Sequence, residues 1–111
     1  MEDAEKLAAE FLGAMMKVSV ELRNADLDSR MRKAGVKAVR AAAYLDIVQK
    51  NEKKPTETQI ASMIDTDGTV SEQQDGLDNA EVTRDDLKRY YDIFNNAHVF
   101  YRGVAKGNFN G

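Results

Sequence analysis

The chain has no cysteine and no tryptophan, one proline (Pro55) and one histidine (His98) in 111 residues. Without cysteine there are no disulfides, no thiolate nucleophile and no thiolate metal site. A single histidine leaves no pair with which to build a histidine-based metal centre. With proline almost absent and 32% of residues charged, long solvent-facing helices are favoured over sheets. No apolar run approaches the ~20 residues that span a bilayer, and the opening MEDAEKLAAE lacks the apolar centre of a signal peptide. The expectation is a membrane-free protein of the cytoplasm, the host's if the source is viral.

The formal net charge of −3 conceals segregation along the chain. Residues 1–22 carry −3, residues 23–54 carry +5, residues 55–87 carry −8 and residues 88–111 carry +3. Fields act locally, over a Debye length of ~8–10 Å, so a mildly acidic whole contains a basic middle and a basic end. The length suits a single domain.

Apolar spacing predicts an all-α fold of two or three long helices and one short one. The arrangement expected is a helical hairpin or bundle, oligomeric through heptad seams. Leu7, Phe11, Ala14, Val18 and Leu22 place one face on a helix ending near residue 23. Asn24-Ala25-Asp26 then reads as a turn. A second helix is expected over 27–51, where Leu27, Met31, Ala34, Ala38, Ala41, Leu45 and Val48 keep a 4-3 rhythm over three heptads. Val36, Val39, Ala43 and Ile47 widen its apolar surface. Pro55 breaks the chain. Thr56 and Gln59 have capping-box spacing for a short helix over 56–64, and Ser71 and Gln74 repeat that spacing before a last helix over 71–102. Leu77, Ala80, Arg84, Leu87, Tyr91, Phe94, His98 and Tyr101 form its seam, with Gly103 or Gly107 as its stop, residues 103–111 as a tail and the closing GNFNG as its fraying part.

The feature with most chemical content is basic. Arg30, Lys33, Lys37 and Arg40 step 3, 4, 3 along the second helix, Tyr44 follows, and Arg32 adds to the edge. No acid interrupts residues 29–43, whereas an ordinary solvated face mixes signs to gain i,i+4 pairs. Such a stripe can follow a phosphate backbone, and Tyr44 offers a ring on which a base could stack. Lys50, Lys53 and Lys54 suit the negative end of the helix dipole. Asp65-Thr66-Asp67-Gly68 resembles a calcium loop, but aligning its glycine puts Met63 and Gln74 at the end ligand positions, which require oxygen donors and a bidentate glutamate. A turn is expected instead. A helix-turn-helix over 55–82 fails on charge, since Glu72, Asp75, Asp78 and Glu81 would face duplex phosphates. No nucleotide loop, nucleophile elbow or singled-out carboxylate pair is present. The expectation is a non-enzyme with no metal and no cofactor.

The order of features resembles a known family. A basic helix ends in a Lys-rich bend. Lys54-Pro55-Thr56-Glu57 begins a short helix, and a second long helix closes on Arg102-Gly103-Val104-Ala105-Lys106. Over roughly residues 27–107 this is similar to the bacteriophage UvsY-like recombination mediators. The resemblance implies a protein that binds single-stranded DNA as a homo-oligomer and helps load a RecA-like recombinase onto strands covered by single-stranded-DNA-binding protein. It places nucleic-acid contacts at Arg30, Arg32, Lys33, Lys37 and Arg40, and an oligomer or partner interface at Leu87, Tyr91, Phe94, His98 and Tyr101. The chain departs from the family in its shortness and acidic total. The rival expectation is a protein–protein module, such as a virion component or an inhibitor of a host enzyme. It would be anchored by Tyr90, Tyr91, Phe94, Phe100 and Tyr101, with the acidic surface of residues 55–87 docking on a basic partner.

Overall fold

A computed structural model describes residues 2–107. They form three helices, α1 (Glu2–Lys50), α2 (Glu57–Asp65) and α3 (Gly68–Ala105), with no strand among the described residues. The fold is all-α, two long helices and one short. None of the helices is long and apolar enough to cross a membrane. Residues 108–111 of the tail expected to fray lie outside the described residues.

The turn expected at Asn24-Ala25-Asp26 does not occur, since α1 runs unbroken through it. Asn and Asp each cost only ~0.5–0.7 kcal/mol relative to alanine inside a helix. Neither breaks the backbone as a proline would. Half-buried Leu22 and Ala25 and buried Ser29 continue the inward face across the segment. The single domain expected from length divides into two compact units, one holding residues up to Asp26 and from Thr83 on, the other Leu27–Val82. Both long helices contribute to each unit.

In the first unit the two helices run antiparallel, with Ala4, Ala8 and Met15 buried. Phe11 lies between two rings of α3, 5.8 Å from Tyr101 in a stacked arrangement and 6.2 Å from Phe94. Such ring pairs contribute ~0.5–1.5 kcal/mol beyond their buried area. His98 Nδ1 reaches the Ala8 carbonyl oxygen at 2.8 Å. The seam read on the last helix therefore faces inward, its two polar members included.

In the second unit Ile60, Ile64 and Val70 form the core, with Val39, Ala43, Tyr44, Ile47 and Val48 packed against it. The α2 capping box forms as its spacing predicts: Thr56 Oγ1 accepts from Gln59 N at 3.2 Å, and Gln59 Oε1 accepts from Thr56 N at 3.0 Å. The second capping box does not form. The α3 helix begins at Gly68, and the Asp67 carboxylate accepts from Val70 N at 3.0 Å, the N-cap geometry. Gln74 instead donates to Asp78 at 2.9 Å. At the other end Gly107, at φ 78°, stops α3 with its N–H on the Val104 carbonyl, while Gly103 is buried within the helix.

The register of α1 in this unit is the main correction. Val36 is buried and Val39, Ala43 and Ile47 pack inward, whereas Leu27, Met31 and Leu45 are 57%, 67% and 57% exposed. The residues read as a seam face outward, except Val48, which packs against the core, and those read as its margin form the inner face. Counting on from Leu22 by threes and fours through Ala25, Ser29, Arg32, Val36, Val39 and Ala43 gives the inward row, one 4-3 repeat continuous with that of the first unit.

Candidate nucleic-acid interface

The basic stripe lies on α1 within the second unit, about a quarter turn from both the buried row and the outward apolar row at 100° per residue. Arg30, Lys33 and Lys37 are exposed. Lys33 and Lys37 make no ion pair among the described residues. The other stripe residues have partners inside the chain. Arg32 Nε pairs with Asp28 at 3.0 Å, one turn back. Its guanidinium lies over Gly76 of α3, where an added Cβ would come within 2.7 Å of Nη1. Gly76 thus makes room for Arg32, a role that helix periodicity gave no reason to look for.

Arg40 and Tyr44 are held by the acidic residues of α2. Arg40 Nη2 donates to Asp65 Oδ1 at 2.9 Å, with both side chains well exposed at 41% and 64%. The Tyr44 hydroxyl donates to Glu57 Oε1 at 3.2 Å. Lys54 Nζ pairs with the same oxygen at 3.1 Å and stands 5.8 Å from the Tyr44 ring centroid. The Tyr44 and Glu57 hydrogen bonds raise the Lys54 pKa above the ordinary lysine value. The hydrogen bonds from Lys54 and then Tyr44 lower the Glu57 carboxyl below the ordinary glutamate value. Lys54 belongs to this cluster instead of serving as a helix-dipole partner. Lys50 is the residue that sits in the last turn of α1, paired with Asp46 at 3.2 Å. The stripe is therefore split: Lys33 and Lys37 make no ion pair among the described residues, whereas Arg40 and Tyr44 are tied to α2.

The five residues expected at an oligomer or partner interface all belong to the first unit. Leu87, Tyr91, Phe94, His98 and Tyr101 are half-buried in the first unit. Phe94, Tyr101 and His98 meet Phe11 and Ala8, and Tyr91 lines a shallow apolar groove of about 340 Å³ with Leu12, Met15, Met16, Ser19 and Val20. Of the α3 aromatics considered as anchors, Tyr90 and Phe100 are exposed, at 52% and 51%. Phe100 meets Tyr101 edge-on at 5.2 Å.

The acidic turn after α2 is a turn and a cap, as its chemistry suggests. Asp67 caps α3, and Thr66 Oγ1 donates to the Ser62 and Met63 carbonyls. Among the described residues no three His, Asp or Glu side chains gather as a metal site. No protein-family model, curated protein or solved structure matches this chain.

Proposed function

We propose that this chain is a non-enzymatic accessory protein that binds single-stranded DNA through α1. In that role it resembles the phage recombination mediators and works in the host cytoplasm beside a RecA-like recombinase and single-stranded-DNA-binding protein. The observation that carries the reading is exposed Lys33 and Lys37, which make no ion pair among the described residues, beside exposed Arg30 on an acid-free stretch of helix. Magnitudes favour extending the contact to the tied end. An exposed ion pair such as Arg40–Asp65 is worth ~0–1 kcal/mol, so a phosphate displaces Asp65 at small cost. Lys54 over Tyr44 is a solvent-exposed cation–π contact, which a base stacked on the ring, worth ~1–3 kcal/mol, can displace.

A labelled oligonucleotide titrated over a series of salt concentrations tests this. Affinity should fall log-linearly with salt, by ~0.7 of slope per phosphate neutralised on a single strand. Lys33→Ala with Lys37→Ala should remove ~1.4 of that slope; an unchanged slope discards the site. The second reading, a protein–protein module, is favoured by a separate observation, the exposed Tyr90, Ile93 and Phe100 on α3. It predicts no oligonucleotide binding at any salt concentration.

A further inference from the structure

We propose that Asp65 and Glu57 of α2 occupy the far half of the basic stripe in place of nucleic acid, keeping it closed until a strand anchored at Lys33 and Lys37 displaces them. Such closure deepens the nucleic-acid reading, on which it rests, by giving the site an internal competitor and by adding Lys54 to the strand contacts. All of these residues belong to the second unit.

The acids of α2 take the positions that a strand would need. The Asp65 carboxylate accepts from Arg40 Nη2 at 2.9 Å, and a guanidinium offers a phosphate the same N–H fork that it offers a carboxylate. Lys54 Nζ stands over the Tyr44 ring, 5.8 Å from its centroid, while Glu57 Oε1 holds Lys54 at 3.1 Å and the Tyr44 hydroxyl at 3.2 Å. A base stacks on that face of the ring only after Lys54 has left it. Both acids are presented by a docked element. Ile60 and Ile64 of α2 are buried against the Val39–Val48 face of α1, and the capping box of Thr56 and Gln59 fixes the start of the helix beside Glu57. A group held by the same chain competes at an effective concentration of about millimolar, so a strand touching Arg40 alone from dilute solution does not outcompete Asp65.

The near half of the stripe has no such competitor. Lys33 and Lys37 are exposed and make no ion pair among the described residues. A strand that lands there is itself tethered, ~4.5 Å along the helix from Arg40, and meets Asp65 on equal terms. Both side chains of the Arg40–Asp65 pair are well exposed, so the exchange then costs a factor of about five at most. Once Glu57 is displaced, Lys54 leaves the ring to a base and its ammonium turns to a phosphate. Opening thus adds Arg40, Tyr44 and Lys54 to the contact together.

A labelled oligonucleotide titrated into the full chain at fixed salt tests this. Asp65→Asn with Glu57→Gln should bind about three- to tenfold more tightly than the wild type. Both acids are exposed and outside the core, so helix content by circular dichroism should be unchanged. Glu52→Gln with Glu72→Gln removes the same charge from acids that make no ion pair among the described residues and should gain less than about twofold. In an Arg40→Ala background Asp65→Asn should gain nothing. In the wild type, added oligonucleotide should return the Glu57 carboxyl resonance toward ordinary glutamate titration as Lys54 and Tyr44 leave it. Equal gains for the two double variants, a gain from Asp65→Asn that persists without Arg40, or a strand that binds with Glu57 unmoved overturns the internal competitor and leaves the nucleic-acid reading standing. Binding by neither the wild type nor the Asp65→Asn, Glu57→Gln chain removes both.

Discussion

Replacing Ile60 with alanine removes the most deeply buried side chain of the second unit, 1% exposed. The side chain fills the space between α2 and the Val39–Val48 face of α1, beside the other buried members of the cluster, Ile64 and Val70. Isoleucine-to-alanine changes in cores cost ~2–5 kcal/mol, the upper values where the site cannot collapse. Helix α2 has nine residues, too few to persist alone in water, and its docking depends on this contact. Some collapse by movement of so short a helix is therefore expected, which sets the loss at about 3 kcal/mol. For a chain of this size that lowers Tm by about 12 °C, at roughly 4 °C per kcal/mol. Urea and thermal unfolding followed by circular dichroism measure it. Met63→Ala, on the outer side of the same helix and 43% exposed, serves as the comparison and should change stability by less than ~0.5 kcal/mol. A loss below ~1 kcal/mol for Ile60→Ala, or equal losses for the two variants, would refute the assignment of this core. Because α2 also holds Arg40 through Asp65 and Tyr44 through Glu57, Ile60→Ala should not weaken oligonucleotide binding at temperatures where α1 remains folded.

Other perturbations give smaller, equally definite outcomes. Thr56→Ala removes the side-chain half of the α2 capping box and should cost ~1 kcal/mol by urea unfolding. Gly13→Ala places a Cβ where nothing lies within 4 Å and should stabilise the chain by ~0.5–1 kcal/mol, read as a higher Tm. Asp65→Asn releases Arg40 from an exposed pair; stability should move by under ~1 kcal/mol, while the salt slope of oligonucleotide binding steepens. Glu57 titrates below the ordinary glutamate range, so its contribution is present above that range and is lost as pH falls through the lowered value. Lys54→Ala should return the Glu57 carboxyl resonance toward ordinary titration, measured by carbon NMR.

The sequence made some of this architecture readable because local and tertiary signals agreed. Thr56 and Gln59 follow a proline break and precede Ile60, Met63 and Ile64, so cap, breaker and apolar spacing all mark one helix. Leu77 through Tyr101 form the longest apolar row on α3, which marks its inward face. The helix α1 was ambiguous because it carries two heptad rows. Leu27, Met31 and Leu45 are larger than Ser29, Ala25 and Ala43, so size favoured the row that faces outward. Phase continuity from Leu22 would have chosen correctly, had the weak turn signal at Asn24 to Asp26 not severed the count. The basic stripe was legible as a stripe. Its division was not, because Asp65 and Glu57 are 25 and 13 residues from Arg40 and Tyr44, and only the docking of α2 brings them together.

The contact between His98 and Ala8 fixes more than a distance. A main-chain carbonyl has lone pairs and no hydrogen, so the ring nitrogen that approaches it must bring one. The neutral imidazole is thereby confined to one of its two tautomers, with Nδ1 protonated and the basic lone pair on Nε2. Acid, alkylating agent or transition-metal ion approaching this ring would meet Nε2 as the nucleophilic atom, and nitrogen NMR would show the two positions as chemically distinct.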